Sequence, residues 1–194
     1  MFNVYNALVA AACALIVGVS LADIKKGLEA VVSVPGRVEM LDTATPYRMI
    51  LDYSHSPDAL ENILTTVREF CRGRIILVFG CGGDRDKGKR PMMGEIAGKF
   101  ADYSILTSDN PRFEDPMDIL SAIEKGIEPT GAKYEMIENR REAIRQAMEM
   151  AVGGDIIVLA GKGHETYQDI CGVKTPFDEK KIVCELLEEM KQNN

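Results

Sequence analysis

The chain has 194 residues, 46 % of them apolar, with 30 acidic against 23 basic side chains and a net charge of −7. Such a chain can bury a sizeable core, which argues against disorder, and its acidic balance argues against a general nucleic-acid binder. Five cysteines (Cys13, Cys71, Cys81, Cys171, Cys184) form no C-x-x-C pair, so a disulfide framework or zinc site is not expected and a reducing, cytoplasmic compartment is.

Residues 7–22 form a nearly continuous small and apolar stretch ending Ser20-Leu21-Ala22, which imitates a signal-peptide core. No Lys or Arg precedes it, as a leader requires, and it is short of the about 20 residues that span a bilayer. It is expected to be a helix that another surface covers, with the chain beginning inside a larger protein and no membrane insertion. Helices are predicted over residues 3–18 and 21–30. The turn cluster Ser33-Val34-Pro35-Gly36 then sets a boundary, giving segments 1–33 and 34–194.

Short strands follow over residues 37–41 and 48–53. A helix is predicted over 57–71, with Pro57 in its first turn and Asp58 and Glu61 near its positive end. The run Arg-Ile-Ile-Leu-Val-Phe at 74–79 is a buried strand between glycines. A helix over 91–100 and a strand over 103–107 come next. Asp115 is an N-cap with Pro116 at the first helical position of a helix reaching about residue 125. The order closes with a strand at 133–137, a helix at 140–152, a strand at 155–160 and a helix at 180–191. Alternation of helices with continuously apolar strands predicts an α/β fold, a mostly parallel sheet with helices on both faces.

Ligands of such sheets bind beyond the carboxyl ends of the strands, and polar loops follow strands here. GCGGDRDKGKR (80–90) contains Gly83-x4-Gly88-Lys89, but Arg90 stands where a phosphate-binding loop needs Ser or Thr for magnesium. What remains is backbone rich in N–H donors carrying Arg85, Lys87, Lys89 and Arg90, a patch suited to an anion. In Ser108-Asp109-Asn110-Pro111-Arg112, the Pro111 ring fixes the turn, and the Asn110 amide and Arg112 fork suit a carboxylate in one orientation. In Gly161-Lys162-Gly163-His164-Glu165, the glycines allow close backbone approach and Glu165 can accept from an amine. The only other histidine is His55, so a triad or a histidine metal site has little support. Arginines for carboxylates beside an acid for an ammonium complement a zwitterionic, amino-acid-like ligand.

Taken in order, Phe2-Asn3-Val4-Tyr5-Asn6-Ala7-Leu8, Pro35-Gly36-Arg37-x-Glu39, Asp52-Tyr53-Ser54-His55-Ser56-Pro57-Asp58-Ala59-Leu60, GCGGDRDKGKRP, SDNPR and AGKGHE cover nearly the whole chain. Together they resemble the Mur ligases of peptidoglycan synthesis, above all the members that add diaminopimelate. The resemblance implies a C-terminal, Rossmann-like amino-acid-binding domain preceded by the last helices of a central ATPase domain. Neither a G-x-x-G-K-[ST] loop nor a match to that domain's carbamylated lysine is present, which suggests a truncated chain, inert alone. Such ligases use ATP and Mg2+ to phosphorylate the glutamate carboxyl of UDP-MurNAc-L-Ala-D-Glu, and the amine of meso-diaminopimelate attacks the acyl phosphate. By motif, Arg85, Asp109, Asn110, Pro111, Arg112, Gly161 and Glu165 would bind diaminopimelate, with Arg112 on the far carboxylate. Asn6, Arg37 and Asp52 match positions that contact ATP, and His55 would lie near the nucleotide. No catalytic or metal-binding residue is expected within the chain. Ser54-His55-Ser56 replaces the usual Ala-His-Thr, a small-for-small change. A lysine-adding Mur ligase, a folylpolyglutamate synthase-like domain and a non-catalytic amino-acid-binding module are the alternatives. The DNPR run argues against lysine, which has no far carboxylate for Arg112.

Overall fold

The computed structural model describes residues 2–31 and 33–192. The chain divides into two units, Met1–Val34 and Pro35–Asn194.

The first unit holds α1 (Phe2–Ile16) and α2 (Leu21–Ala30). Its helix pair follows from local signals. Gly18 has φ +86, and the N–H groups of Gly18 and Val19 bond Leu15 O and Ala14 O, a Schellman stop. Ser20 then caps α2 by accepting from the Asp23 N–H at 3.2 Å. Val4, Tyr5, Leu8 and Val9 of α1 are exposed. No described helix is long and apolar enough to cross a membrane.

The second unit runs β1 (Glu39–Leu41), β2 (Arg48–Asp52), α3 (Pro57–Arg68), β3 (Ile75–Phe79), α4 (Lys89–Phe100), β4 (Tyr103–Leu106), α5 (Pro116–Ile127), β5 (Tyr134–Met136), α6 (Arg140–Met150), β6 (Ile156–Ala160), β7 (Tyr167–Ile170), β8 (Val173–Pro176) and α7 (Glu179–Gln192). The sheet order is β1-β2-β6-β3-β4-β5, with β2, β6, β3, β4 and β5 parallel and β1 an antiparallel edge. The fold is thus α/β with a mostly parallel six-stranded sheet. Every residue of β3 and β6 is buried, because both faces are covered.

Alternate strand residues feed opposite layers. Ile75, Leu77, Phe79, Ile156, Val158 and Ala160 pack with α3, α4 and α5. Ile76, Val78, Ile157 and Leu159 pack with α6 and α7 through Ile144, Met148, Val183 and Leu186. Fully burying each such side chain is worth about 1.5–3 kcal/mol, which is why the continuously apolar strands dominate the fold. Asp115 caps α5 as its sequence suggests, accepting from the Met117 N–H at 2.8 Å.

The β7–β8 hairpin is absent from the sequence reading. Its strands are largely exposed, so Tyr-Gln-Asp-Ile and Val-Lys-Thr-Pro carry little apolar alternation. Its turn places both Cys171 (φ +51) and Gly172 (φ +77) in the left-handed region, as a two-residue hairpin requires. Cysteine is not a residue that announces such a turn.

Candidate functional site

Parallel strands send the loops after β2, β3, β4 and β6 to one sheet edge, and β6 lies between β2 and β3. Residues far apart in sequence meet there. The loop after β6 turns at Gly161 (φ +112), where a Cβ would stand 2.7 Å from Asp109 Oδ2. Only glycine lets the Asp109 carboxylate come this close.

Lys162 follows, and it is fully buried. Its Nζ donates to Asn110 Oδ1 at 3.0 Å and lies 3.6 Å from Asp109 Oδ1 and 3.5 Å from Glu165 Oε2. The rings of Tyr167 and Phe177 stand 5.9 and 5.8 Å away. Desolvation pushes the Lys162 pKa below that of an ordinary lysine; Asp109 opposes this and Arg140 adds to it. Asn110 in turn donates from Nδ2 to Glu165 Oε2 at 2.9 Å. Two carboxylates thus face one buried ammonium, leaving a negative balance suited to a ligand cation.

Arg112 lies at the end of the loop after β4, in the left-handed region with φ +51. The β7–β8 hairpin holds it there. The Arg112 N–H donates to Asp169 O at 3.0 Å, and the Cys171 N–H donates to Arg112 O at 2.7 Å. The hairpin also fixes the preceding residues, through Asp169 N–H to Asn110 Oδ1 at 3.0 Å and Gln168 Nε2 to Asp109 O at 2.9 Å. Arg112 Nη1 donates to Gly83 O at 2.7 Å. Its Nε and Nη2 make no other hydrogen bond among the described residues, so the guanidinium keeps donors for a carboxylate.

The loop after β3 spends most of its charge internally. Arg90 forms a two-point pair with Glu114 at 3.0 and 2.9 Å, and Lys87 lies 3.1 Å from the same carboxylate. Glu114 also accepts from the Asp84 N–H at 2.6 Å. Hydrogen bonding from Arg90 first, then from Asp84 N–H, holds its pKa down to about 2. Lys89 donates to His55 O at 2.6 Å. The four-cation anion patch expected from the sequence is therefore reduced to Arg85, which is exposed and packs its Cγ near Gly82 beside Arg112. A charged loop read as free becomes a stitched one because Glu114, from the next loop, was out of sight in sequence.

Arg37, Asp52 and His55 gather around Tyr53. The Arg37 guanidinium sits 4.9 Å from the Tyr53 ring centre, and the His55 and His164 rings lie 4.8 and 5.2 Å from it. Arg37 and His55 are exposed. Asp52 is buried and occupied: it accepts from the Val38 N–H at 2.8 Å and from the Ser54 hydroxyl. The Tyr53 hydroxyl reaches Glu165 Oε1 at 3.5 Å, which joins this group to the amino-acid-like group. Desolvation, then Glu165 and Asp109, raise the Tyr53 pKa and keep the phenol protonated. Asn6 is exposed on α1 of the first unit.

Pro111 is buried at the turn of its loop. Arg85, Asp109, Asn110, Pro111, Arg112, Gly161 and Glu165 therefore share one rim. Sequence reasoning missed Lys162, Tyr53 and Glu114. The signal for Lys162 was its pair of glycines, since Gly163 too is crowded, with a Cβ there 2.8 Å from Tyr53 Cβ. Among the described residues no three of His, Cys, Asp or Glu are grouped to hold a metal ion. Two open clefts of about 350 and 540 Å3 flank α4 and involve none of these loops.

Known proteins resemble this chain in sequence and fold. A family profile described as Mur ligase, glutamate ligase domain, matches residues 36–163. A curated relative from Caldanaerobacter subterraneus subsp. tengcongensis, named UDP-N-acetylmuramoyl-L-alanyl-D-glutamate–2,6-diaminopimelate ligase, is 52 % identical over 189 residues. That match covers 97 % of this chain and 39 % of the relative's length. A solved structure of a ligase of the same name superposes with a TM-score of 0.77 at 40 % identity, over 98 % of this chain and 39 % of that one. A bifunctional folylpolyglutamate synthase/dihydrofolate synthase from Yersinia pestis shares the fold alone, with a TM-score of 0.58 at 18 % identity over 89 % of this chain and 35 % of that one.

Proposed function

This chain belongs to the Mur ligase family, and on that premise we propose that it is the amino-acid-binding portion of a cytoplasmic ligase of peptidoglycan synthesis. The whole enzyme would join meso-diaminopimelate to UDP-MurNAc-L-Ala-D-Glu. Residues 34–194 would form the amino-acid-binding domain, and residues 1–33 the last helices of a central ATPase domain. The chain spans 39 % of its relative's length; on this reading the reaction would require further domains, and the chain alone would be inert.

The observation that carries the reading is that Asn110 and Glu165 meet around Lys162 while Arg112 is tied to the same loop through Asp169 of the hairpin. Arg112 offers a planar fork to the far carboxylate. Arg85, beside it, keeps that end positive. Glu165 and Asp109 accept from the ammonium group at that end, and Asn110 and Gly161 set their spacing. The other amino group is thereby presented as an amine toward the acceptor, a gain of orientation rather than of nucleophilicity.

ATP with Mg2+ would supply the phosphoryl group that activates the acceptor carboxyl. The exposed Arg37 guanidinium and His55 imidazole, both close to the Tyr53 ring, suit an anionic nucleotide. Asp52, its carboxylate committed to Val38 and Ser54, would shape that ledge rather than ligate a metal. By motif alone, Asn6 of the first unit matches a position that would contact ATP. Magnesium ligands would come from the remaining domains.

Calorimetric titration tests the amino-acid assignment. The chain should bind meso-diaminopimelate at least about 30-fold more tightly than L-lysine, the low end of a 2–5 kcal/mol penalty for an unpaired charge. Arg112→Lys should lose nearly as much of this preference as Arg112→Ala, because an ammonium lacks the fork. Equal affinity for the two amino acids would assign specificity elsewhere. Incubation with ATP, Mg2+ and both substrates should give no product; amide formation would overturn the need for further domains.

A further inference from the structure

Lys162 is an expensive residue with a poor local return. An ammonium carries three donors, yet only the bond to Asn110 Oδ1, at 3.0 Å, has ordinary hydrogen-bond length. The carboxylates of Asp109 and Glu165 stay at 3.6 and 3.5 Å. A buried lysine selected for stability alone would be better paired.

Its effect on Asn110 is specific. Asn110 Oδ1 accepts from both Lys162 Nζ and the Asp169 N–H, each at 3.0 Å. The Nδ2 group is thereby directed at Glu165 Oε2, 2.9 Å away. A flipped carboxamide would set its donors against an ammonium and an N–H, and its oxygen against a carboxylate. Lys162 is also the cation between Asp109 and Glu165, acids from two different loops that would otherwise repel. Of the two, Glu165 is the more exposed, at 17 % against 8 % for Asp109.

We propose that Lys162 is a positioning residue that locks the Asn110 carboxamide and the Glu165 carboxylate into their ligand-receiving orientation before the ligand arrives. It does not itself reach the ligand. The proposal rests on the amino-acid-binding reading above and explains why a lysine is buried at the ligand edge: preorganisation lowers the ordering cost of binding.

The test compares the chain with Lys162→Met by 15N spectroscopy and calorimetry. In wild type, the Asn110 side-chain amide should be protected from exchange through Glu165. In Lys162→Met that exchange should rise at least about tenfold and meso-diaminopimelate affinity fall at least about tenfold. Backbone amides of β3 and β6 should stay protected, which a merely structural lysine would not allow. Asn110 exchange and affinity both within twofold of wild type would overturn the proposal. If wild type fails to take meso-diaminopimelate while the Asn110 effect appears, the amino-acid reading falls and the positioning role stands. If the variant loses its backbone protection, the wild-type chain decides. The Asn110 Cγ signal should then titrate with Lys162 Nζ, below the ordinary lysine range. Asp109, Glu165, Arg140 and Glu179 are the charged groups facing Lys162. An Asn110 signal indifferent to Lys162 deprotonation would overturn the proposal.

Discussion

Asp155 precedes β6 and Lys162 lies two residues beyond its end, and they are 2 % and 0 % exposed. The two ends of one strand treat a buried charge in opposite ways. Asp155 Oδ1 accepts from the Arg74 N–H at 2.7 Å, and Oδ2 from Arg74 Nε at 3.1 Å, Arg74 Nη2 at 2.7 Å and Val152 N–H at 3.0 Å. Burial alone would raise its pKa, but the bonds from Arg74 and Val152 hold it below the usual carboxylate range. At Lys162 burial wins over the neighbouring acids and the pKa falls. A satisfied network closes on itself and supports the fold; an under-satisfied one keeps capacity for something else. The amino end of the sheet is built for stability, and the under-satisfied carboxyl end suits the ligand proposed for it.

The sharpest way to break that contrast is Asp155→Ala. Losing the carboxylate that accepts from Arg74 N–H, Arg74 Nε and Val152 N–H, with Arg74 Nη2 keeping only Met150 O, should cost about 3 kcal/mol in urea unfolding; a cost below about 1 kcal/mol would remove the amino end as a stability centre. The sign in pH follows from a depressed folded pKa. The Asp155 contribution is full above the unfolded carboxylate value and is lost as pH falls through the lower folded value, so Asp155→Asn should flatten the acid limb of the stability profile below about pH 4.

Gly161→Ala addresses the other end. With φ +112 and a Cβ 2.7 Å from Asp109 Oδ2, it should lose about 1–3 kcal/mol. It should also displace Asp109 and weaken meso-diaminopimelate binding beyond what partial unfolding explains, as calorimetry on the folded fraction would reveal. Glu114→Gln probes a satisfied cluster at the ligand edge. The Glu114 contribution is present above its ordinary pKa of 4.5 and disappears as pH falls toward about 2. The variant should melt lower at pH 7 and converge on wild type near pH 2, by thermal scans. Lys99→Ala sets the baseline: its exposed pair with Glu95, at 2.5 Å, should be worth less than about 0.5 kcal/mol.

Most of the sheet was legible because burial on both faces forces runs such as Ile75–Phe79 and Ile156–Ala160, which no polar loop imitates. The convergence of the loops after β3, β4 and β6 followed from the parallel order alone. What escaped depends on contacts across distance. Lys87 and Arg90 looked available because Glu114 lies 24 residues beyond Arg90. Lys162 drew no role from the sequence because nothing local states that Asn110, 52 residues earlier, accepts from its ammonium. The hairpin that holds Arg112 was invisible because strands with exposed faces need little apolar patterning.

The strand order has a consequence for how the molecule is made. β6 is the last strand of the large sheet to leave the ribosome, yet it belongs between β2 and β3. Until it arrives, β1–β2 and β3–β4–β5 are two separate ribbons, each with an unpaired edge, Met49-Ile50-Leu51 on β2 and Ile75–Phe79 on β3. Such edges are templates for pairing with other chains, and closure waits on contacts distant in sequence. A nascent chain stalled before residue 156 should be captured by chaperones or aggregate, and only its final 40 or so residues convert it into a soluble domain. Since β6 also delivers Lys162 and Glu165, the ligand edge and the solubility of the chain are completed by the same late event.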